Sequence, residues 1–369
     1  MESHVLDVGY DDQIASTRTH GGAARYYAEL IGHLQRMPWL NIEPILGWTW
    51  TTSSYFSSLD LGKRLSIFET LGGSRPVRRL ERVLVTSANA RAREQVADSK
   101  VIHHTHYDPR ALEASKNAKR VVTVFDMIPE RFPELFEANP HNAKEDFVAN
   151  ADLILCISQS ARDDLEHYYG PLKAPVHVTP LAAAPPRSRE SGTQLPRQEV
   201  LLFVGRRGGY KDFDVLCEAL ALGKTRWQLV CVGGGPFHSD EVLLLRRLGI
   251  EDRVRQLSAS DEELSSWYSM AGLFVFPSRF EGFGLPTVEA MSHGCPVLLA
   301  NSPAHREVGG SAATYFNVGD AGDLALQIDA LVTDQDLRNF YSARGLSRST
   351  KFTWRETARL TAKAYLSLT

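Results

Sequence analysis

Val200-Leu-Leu-Phe-Val-Gly-Arg-Arg-Gly-Gly-Tyr-Lys-Asp-Phe213 joins an apolar run to a glycine-rich segment, and this pattern decides the fold. The apolar run predicts a buried β-strand, and residues 213–222 predict a helix. A strand, a glycine-rich turn and a helix in this order are typical of a parallel sheet with crossover helices. Because backbone amides at a helix start favour anions, the turn is a candidate phosphate site.

The same alternation of short apolar runs and amphipathic stretches continues over most of the chain. It predicts strands at residues 4–8, 42–46, 100–104, 120–124, 153–157, 176–178, 228–232, 273–276 and 296–299, with helices between them. A stretch rich in proline, serine and charge lies between the two halves and predicts a linker.

We therefore expect an α/β protein with two Rossmann-like, doubly wound domains that face each other across a cleft. The expected boundaries are an N-terminal domain at 1–182, a linker at 183–198, a C-terminal domain at 199–350 and a terminal helix at 351–369. Ligands of such sheets bind at the carboxyl ends of the strands, so the cleft is the expected site. The terminal helix carries an apolar stripe that packing on another element would bury.

The composition of the 369 residues limits the classes of function. With 41 Lys and Arg against 44 Asp and Glu, the net charge of −3 argues against a generally basic nucleic-acid-binding protein. Hydrophobic residues at 43% argue against a disordered chain. The four cysteines stand singly, without a metal-ligand pattern, which fits a reducing cytoplasm.

The amino terminus, Met-Glu-Ser-His-Val, lacks the basic start and apolar core of a signal peptide. No apolar run reaches the roughly 18–20 residues that a membrane span needs. Arginines crowd residues 75–93, and this helical stretch either lies on an anionic lipid surface or forms a solvated helix face. We expect a cytoplasmic protein whose only membrane contact is peripheral, at the inner face of the cell membrane.

The glycine-rich turn after Val204 offers Arg206, Arg207 and Lys211 to a diphosphate. It is not a Walker A loop, because the glycine spacing differs and Asp212 stands where Ser or Thr follows the lysine. It also lacks the G-x-G-x-x-G fingerprint of dinucleotide-binding domains. The alternative is that these cations are simply solvated on the surface.

A second segment, Phe276-Pro-Ser-Arg-Phe-Glu-Gly-Phe-Gly-Leu-Pro-Thr-Val-Glu-Ala-Met291, has a similar layout. A strand ends near its start, a glycine-rich loop follows, and Pro286 suits the first turn of a helix that stops at Gly294. Glu281 lies on the loop, close to a bound reactive group, and Glu289 lies in the first turns of the helix, where it can accept hydrogen bonds from a ribose. Each glutamate alone is equally consistent with an exposed loop or a helix start that favours acids. The pair around the loop favours a site.

In these segments the chain resembles glycosyltransferase family 4, the retaining nucleotide-sugar transferases with the GT-B fold, and the resemblance covers nearly the whole chain. Glu281 and Glu289 match the family signature of two glutamates separated by seven residues, and Gly205 to Lys211 matches its Arg/Lys diphosphate loop. Four further stretches resemble bacterial mannosyltransferases of cell-surface polysaccharide synthesis: Gly21-Gly-Ala-Ala-Arg-Tyr26, His103-His-Thr-His-Tyr-Asp-Pro109, Asp126-Met-Ile-Pro-Glu130 and Asp261-Glu-Glu-Leu-Ser-Ser-Trp-Tyr268.

The resemblance implies that residues 199–350 form the nucleotide-sugar-binding domain and that the terminal helix packs back on the N-terminal domain; the alternative is that the helix only covers the second domain locally. It also implies roles for the matching residues. Lys211 and Arg207, with Arg206, would hold the donor diphosphate, and the adjacent arginines leave open which of them binds. Glu281 would contact the donor sugar, and Glu289 would bind the ribose hydroxyls.

Backbone groups are implicated as well. The amides of Phe283, Gly284 and Leu285 would lie near the sugar and phosphate. Gly21 and Gly22, at a strand-to-helix turn, would let the backbone approach the diphosphate from the first domain, although an ordinary tight turn would also place glycines there.

One departure from the family concerns Phe125, which stands where many relatives have a histidine that meets the donor sugar. Three replacements are open: Asp126 acts as a catalytic group, a histidine among residues 103–106 fills the role, or the diphosphate clamp alone stabilises the charge. Asp126 is equally suited to capping the following turn.

A metal is not expected. His104 points away from His103 on a strand, and no acid follows His106 at ligand spacing. The D-x-D motif at Asp212-Phe-Asp214 begins a helix, where we favour a cap or dipole role. No cofactor is expected beyond the nucleotide-sugar substrate.

These inferences lead to one hypothesis of function. We expect a retaining hexosyltransferase that moves mannosyl from GDP-mannose to a saccharide acceptor, such as a lipid-linked polysaccharide, O-antigen or exopolysaccharide intermediate. Two alternatives are a sugar-nucleotide epimerase and a degenerate transferase that binds nucleotide sugar or saccharide without turnover. Fold alone does not decide between them.

Overall fold

The computed structural model describes residues 5–17, 22–65, 75–115, 117–183 and 197–369. Gly21 and residues 184–196 of the expected linker lie outside these ranges. The chain divides into two units: one comprises Met1–Leu181 and Trp354–Thr369, and the other Ala182–Thr353. Residues 351–353 therefore group with the second unit, and Gln198, expected in the linker, begins a strand of that unit.

The first unit alternates strands and helices. Its strands are β1 (Leu6–Tyr10), β2 (Ile42–Leu46), β3 (Trp50–Thr51), β4 (Lys63–Arg64), β5 (Val101–His104), β6 (Lys119–Val124), β7 (Leu153–Cys156) and β8 (Val176–Val178). Its helices are α1 (Gln13–Thr17), α2 (Gly22–Arg36), α3 (Ser54–Ser58), α4 (Arg75–Ala88), α5 (Ala90–Ala97), α6 (Pro109–Ala114), α7 (Ile128–Arg131), α8 (Lys144–Ala149) and α9 (Gln159–Tyr169), with 3₁₀ turns at Pro38–Leu40 and Pro133–Leu135.

The second unit repeats the pattern. Its strands are β9 (Gln198–Val204), β10 (Gln228–Val232), β11 (Val254–Leu257), β12 (Ala271–Phe276), β13 (Val297–Ala300) and β14 (Thr314–Phe316). Its helices are α10 (Phe213–Leu222), α11 (Ser239–Leu248), α12 (Asp261–Met270), α13 (Leu285–Ser292), α14 (Pro303–Gly309), α15 (Ala321–Thr333) and α16 (Gln335–Ser349), with 3₁₀ turns at Gly209–Lys211, Glu251–Arg253 and Gly310–Ala312. The last helix, α17 (Trp354–Leu366), belongs to the first unit.

Each unit contains a six-stranded parallel sheet. The strand orders are β2-β1-β5-β6-β7-β8 and β11-β10-β9-β12-β13-β14, and β3 pairs with β4 separately. Both orders reverse direction once, beside β1 and beside β9, as in doubly wound folds. Such a reversal opens a crevice at the carboxyl ends of the two strands that flank it.

Helices cover both faces of the second sheet. One apolar cluster joins alternate strand residues such as Leu201 and Leu229 to α10 and α15, and another joins Leu202 and Phe274 to α12 and α13. All residues of β12 are buried. Strands buried on both faces explain why the sequence shows continuous apolar runs rather than alternation. The sheet is therefore a rigid support for the loops at its carboxyl edge.

The terminal helix α17 packs on α2. Its predicted apolar stripe is buried, and the Thr357 hydroxyl donates a 2.6 Å hydrogen bond to the Pro180 carbonyl. Farther along α17, the Tyr365 hydroxyl is hydrogen-bonded to Tyr10 at 2.8 Å and to Nδ1 of His103 at 2.6 Å. These contacts fix the end of the chain to strands β1 and β5.

Candidate functional site

The reversal point of the second sheet lies between β9 and β12, which are neighbours in the sheet. The segment after β9 carries Arg206 and Lys211, and the segment after β12 carries Glu281. The backbone amide of Arg279 donates a 2.9 Å hydrogen bond to the Tyr210 carbonyl, so the two segments are joined directly. The candidate site is thus at the position where doubly wound sheets bind ligands.

Lys211 and Glu281 form an ion pair at this edge. Nζ of Lys211 donates a hydrogen bond of 2.5 Å to Oε1 of Glu281, and the two side chains are 15% and 11% exposed. Nζ also lies 5.2 Å from the centre of the Phe276 ring. A partly dehydrated cation beside a carboxylate is a strong electrostatic feature, and a diphosphate would compete with Glu281 for the lysine.

The two adjacent arginines differ completely in environment. Arg206 is exposed. The Arg207 side chain is 1% exposed and pairs with Glu241 through Nε at 2.9 Å and Nη2 at 3.2 Å. Nη1 donates to the Gly233 carbonyl at 2.8 Å, and Nη2 also donates to the carbonyls of Gly235 and Pro236 at 2.8 and 3.0 Å.

This arrangement assigns Arg207 to the protein interior, because the guanidinium already bonds five acceptor positions. It holds the turn after β10, whose three glycines have φ of 91°, 73° and 73°. Arg206 is therefore the arginine of this loop that a diphosphate can reach. The expectation of Arg207 as the main diphosphate ligand does not fit its contacts.

Asp212 ties the two segments together by a second route. It adopts a left-handed backbone (φ 48°) at the start of α10, and its carboxylate pairs with Nε and Nη2 of Arg279, with Nε at 2.8 Å. Burial raises the pKa of Asp212, and Arg279 partly offsets this rise. The Asp212 side chain makes no cap hydrogen bond to α10, so the expected capping role of the D-x-D motif is wrong for its first aspartate.

The glycine-rich loop leads into α13 through Gly284, whose φ of 87° is a left-handed conformation that favours glycine. Pro286 occupies the first turn of α13, as predicted. Phe283 is 2% exposed and packs edge-to-face on Phe352, with 5.6 Å between the ring centres. This buried contact holds the loop against the rest of the unit. Leu285, the first helical residue, is half-buried.

Glu289 lies on α13 and is 9% exposed. Its Oε2 accepts a 3.0 Å hydrogen bond from the Tyr268 hydroxyl, which reaches it from α12. The phenol fixes one carboxylate oxygen in place. Tyr268 ends one of the stretches quoted above, but its bond to Glu289 was not predicted.

Several polar atoms of the second unit are buried without a hydrogen-bond partner among the described residues, including Ser278 Oγ, Thr287 Oγ1, Ser302 Oγ and His305 Nε2. Orphaned polar atoms of this kind cost free energy unless a water or a ligand satisfies them. His305 is fully buried, and its Nδ1 donates a 2.9 Å hydrogen bond to the Ala300 carbonyl. Burial lowers the pKa of His305, although Glu281 and the Ala300 carbonyl act in the opposite direction.

The remaining predicted residues belong to the first unit. Gly22 begins α2, and a Cβ there would meet no atom of the described residues within 4 Å, so packing against those residues does not require glycine. Oδ1 of Asp126 accepts a 3.0 Å hydrogen bond from the Ile128 amide, which is the turn-capping contact considered above. The Asp126 carbonyl also accepts a 2.9 Å bond from Nζ of Lys144. A catalytic role for Asp126 stays a prediction.

Phe125 packs edge-to-face on Tyr26 at 5.2 Å. His103 is fully buried, bonds Tyr365 and Thr123, and has its pKa lowered by burial to about 3. His104 bonds Asp11 at 2.8 Å on the other side of the strand. Neither histidine is exposed as a replacement for the family histidine.

His106 is half-buried, and its Nδ1 accepts a bond from the Tyr107 amide. Within the described ranges, no group of three or more His, Cys, Asp or Glu side chains is arranged to hold a metal ion. In the same ranges, none of the helices has both the length and the apolar character needed to cross a membrane.

The chain is similar in sequence to known glycosyltransferases. The family model described as glycosyl transferases group 1 matches residues 186–348. The chain is 28% identical over 274 residues to O-antigen chain mannosyltransferase B of Escherichia coli, covering 70% of this chain and 72% of that protein. It is 37% identical over 109 residues to the serotype-specific mannosyltransferase WbdA of Escherichia coli, covering 30% of this chain and 13% of WbdA.

Among solved structures, Alr3699/HepE of Anabaena in complex with UDP and glucose is similar, with a TM-score of 0.74 and 18% identity over 98% of this chain and all of that one. Two parallel doubly wound sheets with this similarity confirm the GT-B fold that the sequence predicts. The protein is a glycosyltransferase with the GT-B fold. The match to the glycosyl transferases group 1 model lies in the C-terminal half of the chain and is compatible with the resemblance to family 4.

Proposed function

We propose that the protein is a retaining mannosyltransferase that uses GDP-mannose as donor and a lipid-linked saccharide as acceptor. The observation that carries the proposal is the ion pair of Lys211 and Glu281 at the reversal point of the second sheet, with exposed Arg206 on the same segment as Lys211. Similarity to two mannosyltransferases of Escherichia coli supports the sugar, and one of them is described as acting on the O-antigen chain.

The charges suit the reaction. Breaking the bond between the anomeric carbon and the phosphate leaves negative charge on the nucleoside diphosphate, and preorganised cations and amides stabilise that charge in the transition state. Arg206 and Lys211 supply the cations. The amides of Phe283, Gly284 and Leu285, at the start of α13, supply dipoles that favour an anion.

In the free protein Glu281 neutralises Lys211. In the proposed complex the diphosphate takes over part of that role, and Glu281 becomes available to accept hydrogen bonds from the hydroxyls of the sugar. Glu289, whose Oε2 is held by Tyr268, would bind the ribose hydroxyls, as the resemblance implies. We propose that the product keeps the anomeric configuration, as the resemblance to family 4 implies. The proposed charge stabilisation uses only these side chains and amides, with no metal cofactor.

The test is acceptor-dependent turnover. Purified full-length protein is incubated with GDP-mannose, UDP-glucose or dTDP-rhamnose, with and without octyl α-mannoside, and released nucleotide and glycoside are quantified. We expect GDP release that requires the acceptor and an α-linked mannoside product by NMR. Binding without turnover across a panel of acceptors would favour the degenerate transferase, and an isomerised sugar without acceptor would favour the epimerase. Preferential use of UDP-glucose would contradict the donor assignment, and UDP is the nucleotide bound to the Anabaena protein.

Two variants connect turnover to the site. Lys211→Ala and Glu281→Ala should each lower kcat/KM for transfer at least tenfold, because each removes a charge-assisted contact worth about 1.5–3 kcal/mol. Lys224→Ala is the matched control. Lys224 is an exposed lysine in the same unit and lies just after the end of α10. Full activity in Lys211→Ala would contradict the proposed diphosphate site.

We further propose peripheral contact between α4 and an anionic membrane. Leu80, Val83 and Leu84 are 52%, 53% and 42% exposed and share one helix face, and Arg79 beside them is exposed. Apolar side chains flanked by cations suit the headgroup region of an anionic bilayer. The protein would then act in the cytoplasm, at the inner face of the cell membrane.

This contact is tested by flotation with vesicles of phosphatidylcholine alone or with about one-third phosphatidylglycerol. We expect binding only to the anionic vesicles, and loss of binding in the triple variant L80S/V83S/L84S. The matched control is Leu326→Ser, which changes a leucine that is 70% exposed in the second unit. Equal flotation of the triple variant and the wild type would refute the contact.

A further inference from the structure

A small polar notch lies beside Gly284. A Cβ built on this glycine would come within 3.6 Å of Oγ1 of Thr287 and 3.8 Å of Nε2 of His305, which are ordinary van der Waals distances. The two polar atoms therefore face one small space beside Gly284. Both side chains are fully buried, and both of these polar atoms lack a partner among the described residues.

The two atoms define which chemical group the notch accepts. Nδ1 of His305 is the donor to the Ala300 carbonyl, so Nε2 of the neutral ring carries a lone pair and can only accept. The Thr287 hydroxyl can donate and accept. A group that both donates and accepts, namely a hydroxyl, satisfies the pair. A phosphate oxygen has only lone pairs, and the lone pair of Nε2 would repel it.

Distance favours a hydroxyl as well. Because both atoms lie within 4 Å of one point, a ligand oxygen that enters the space they share can lie within hydrogen-bonding distance of them. Only a residue without a side chain leaves this point empty, and the left-handed φ of Gly284 independently favours glycine there. The notch adjoins Glu281, whose charge acts on His305.

We infer that Thr287 and His305 form a binding subsite for one hydroxyl of the sugar that is transferred, and that they select the donor by its stereochemistry. The inference rests on the proposed function and adds to it two residues that recognise the sugar rather than the nucleotide. A buried acceptor that loses its donor is strongly disfavoured, so a sugar with the wrong configuration at this hydroxyl would bind poorly.

The test separates sugar recognition from nucleotide binding. Isothermal titration gives the Kd of GDP and of GDP-mannose for the wild type, Thr287→Val and His305→Asn. Thr287→Val keeps the shape and removes the hydroxyl, and His305→Asn can keep a donor to the Ala300 carbonyl while it removes Nε2. Thr314→Val is the matched control, because Thr314 Oγ1 is also buried and has no hydrogen-bond partner in the described part of the chain, but lies at the start of β14.

We expect each notch variant to weaken GDP-mannose binding about tenfold and to change GDP binding less than twofold, with Thr314→Val unchanged for both. An equal loss for GDP and GDP-mannose would overturn the subsite, because it would indicate a structural or phosphate-binding role. No loss for either ligand would also overturn it, because the notch would then hold only water.

Failure of the proposed function is visible in the wild type alone. If the wild type prefers another nucleotide sugar, the donor assignment fails and the notch is tested with that sugar nucleotide and its nucleoside diphosphate. If the wild type binds no nucleotide sugar, both proposals fall.

Discussion

Replacing Arg206 and Arg207 one at a time should give opposite phenotypes. The two residues are adjacent in sequence, yet Arg206 is exposed whereas the Arg207 side chain is 1% exposed and bonded to Glu241 and three carbonyls. Arg207→Ala should damage the fold of the second unit. Arg206→Ala should leave the fold intact and weaken donor binding.

The magnitude for Arg207→Ala follows from the contacts it breaks. Removing one partner of a buried ion pair costs about 3–5 kcal/mol, because the other charge is left unpaired. The Glu241 side chain is 16% exposed and regains some water, so we expect a loss of about 2–4 kcal/mol. For a domain of this size each kcal/mol lowers the melting temperature by roughly 2–4 °C, which gives a fall of about 5–15 °C.

The magnitude for Arg206→Ala follows from the ligand. An exposed side chain removed from the surface changes stability by no more than about 0.5 kcal/mol. A hydrogen bond from a guanidinium to a diphosphate is worth about 1.5–3 kcal/mol, so Kd for the nucleoside diphosphate should rise roughly 10- to 150-fold.

The assay combines differential scanning calorimetry with isothermal titration of GDP against both variants. Glu241→Gln is the matched control for Arg207→Ala, since it weakens the same ion pair from the other side and should lower the melting temperature without direct contact with a ligand. A stable Arg207→Ala protein that no longer binds GDP, or an Arg206→Ala protein that binds GDP normally, would refute the assignment.

Three further outcomes are expected. Tyr365→Phe removes the hydroxyl that is hydrogen-bonded to both Tyr10 and His103. It should lower the free energy of unfolding, measured by urea titration, by about 1–3 kcal/mol. An unchanged midpoint of urea unfolding would mean that these hydrogen bonds do not hold α17 in place. Burial lowers the pKa of His103 to about 3, so between about pH 6.5 and pH 3 the unfolded chain binds a proton that the folded chain does not. The free energy of unfolding is therefore full above pH 6.5 and falls below it by up to about 1.4 kcal/mol per pH unit. His103→Gln should reduce this slope of stability against pH, and an identical slope would be evidence against the lowered pKa of His103. Incubation with EDTA followed by dialysis should leave the transfer rate unchanged, and restoration of a lost rate by Mg²⁺ or Mn²⁺ would contradict a metal-free reaction.

The sequence predicts a strand where a local apolar pattern marks it. The bounds of β2, β8 and β10 match the apolar runs, and β1 lies two residues later than predicted. Both edge strands of the first sheet, β2 and β8, are among those predicted, whereas the edge strands β11 and β14 of the second sheet were missed. Val254–Leu257 mixes polar and apolar residues, and Thr314–Phe316 is short and begins with a polar residue, so neither shows a clear pattern.

In the candidate site, features with a local sequence pattern were predicted, and contacts between residues distant in sequence were not. The glycine-rich segments and the pair of glutamates predict both loops, since their pattern is local. The burial of Arg207 depends on Glu241 and on the turn after β10, which are 26 to 34 residues away in sequence, so no local pattern reveals it. His305 was not predicted as a site residue for a similar reason. Its unpartnered Nε2 can be recognised only in the structure, where Gly284 and Thr287 lie beside it.

The histidines of the first unit were open alternatives for the missing family histidine. Their role depends on contacts with α17, because His103 is bonded to Tyr365 at a separation of 262 residues. A strand residue that faces a helix from the far end of the chain cannot be identified as buried from its own neighbours. From the sequence alone, three replacements for the family histidine were therefore possible. The contacts of the folded chain bury His103 completely, so it has no access to solvent.

The central claim is that Lys211 binds the diphosphate of the donor. Isothermal titration of guanosine, GMP and GDP against the wild type, Lys211→Met and the control Lys224→Met tests it most directly. We predict that affinity rises from guanosine to GDP in the wild type and in Lys224→Met, and that Lys211→Met loses at least tenfold in GDP affinity while guanosine is unaffected. Equal GDP affinity in Lys211→Met and the wild type would contradict the claim.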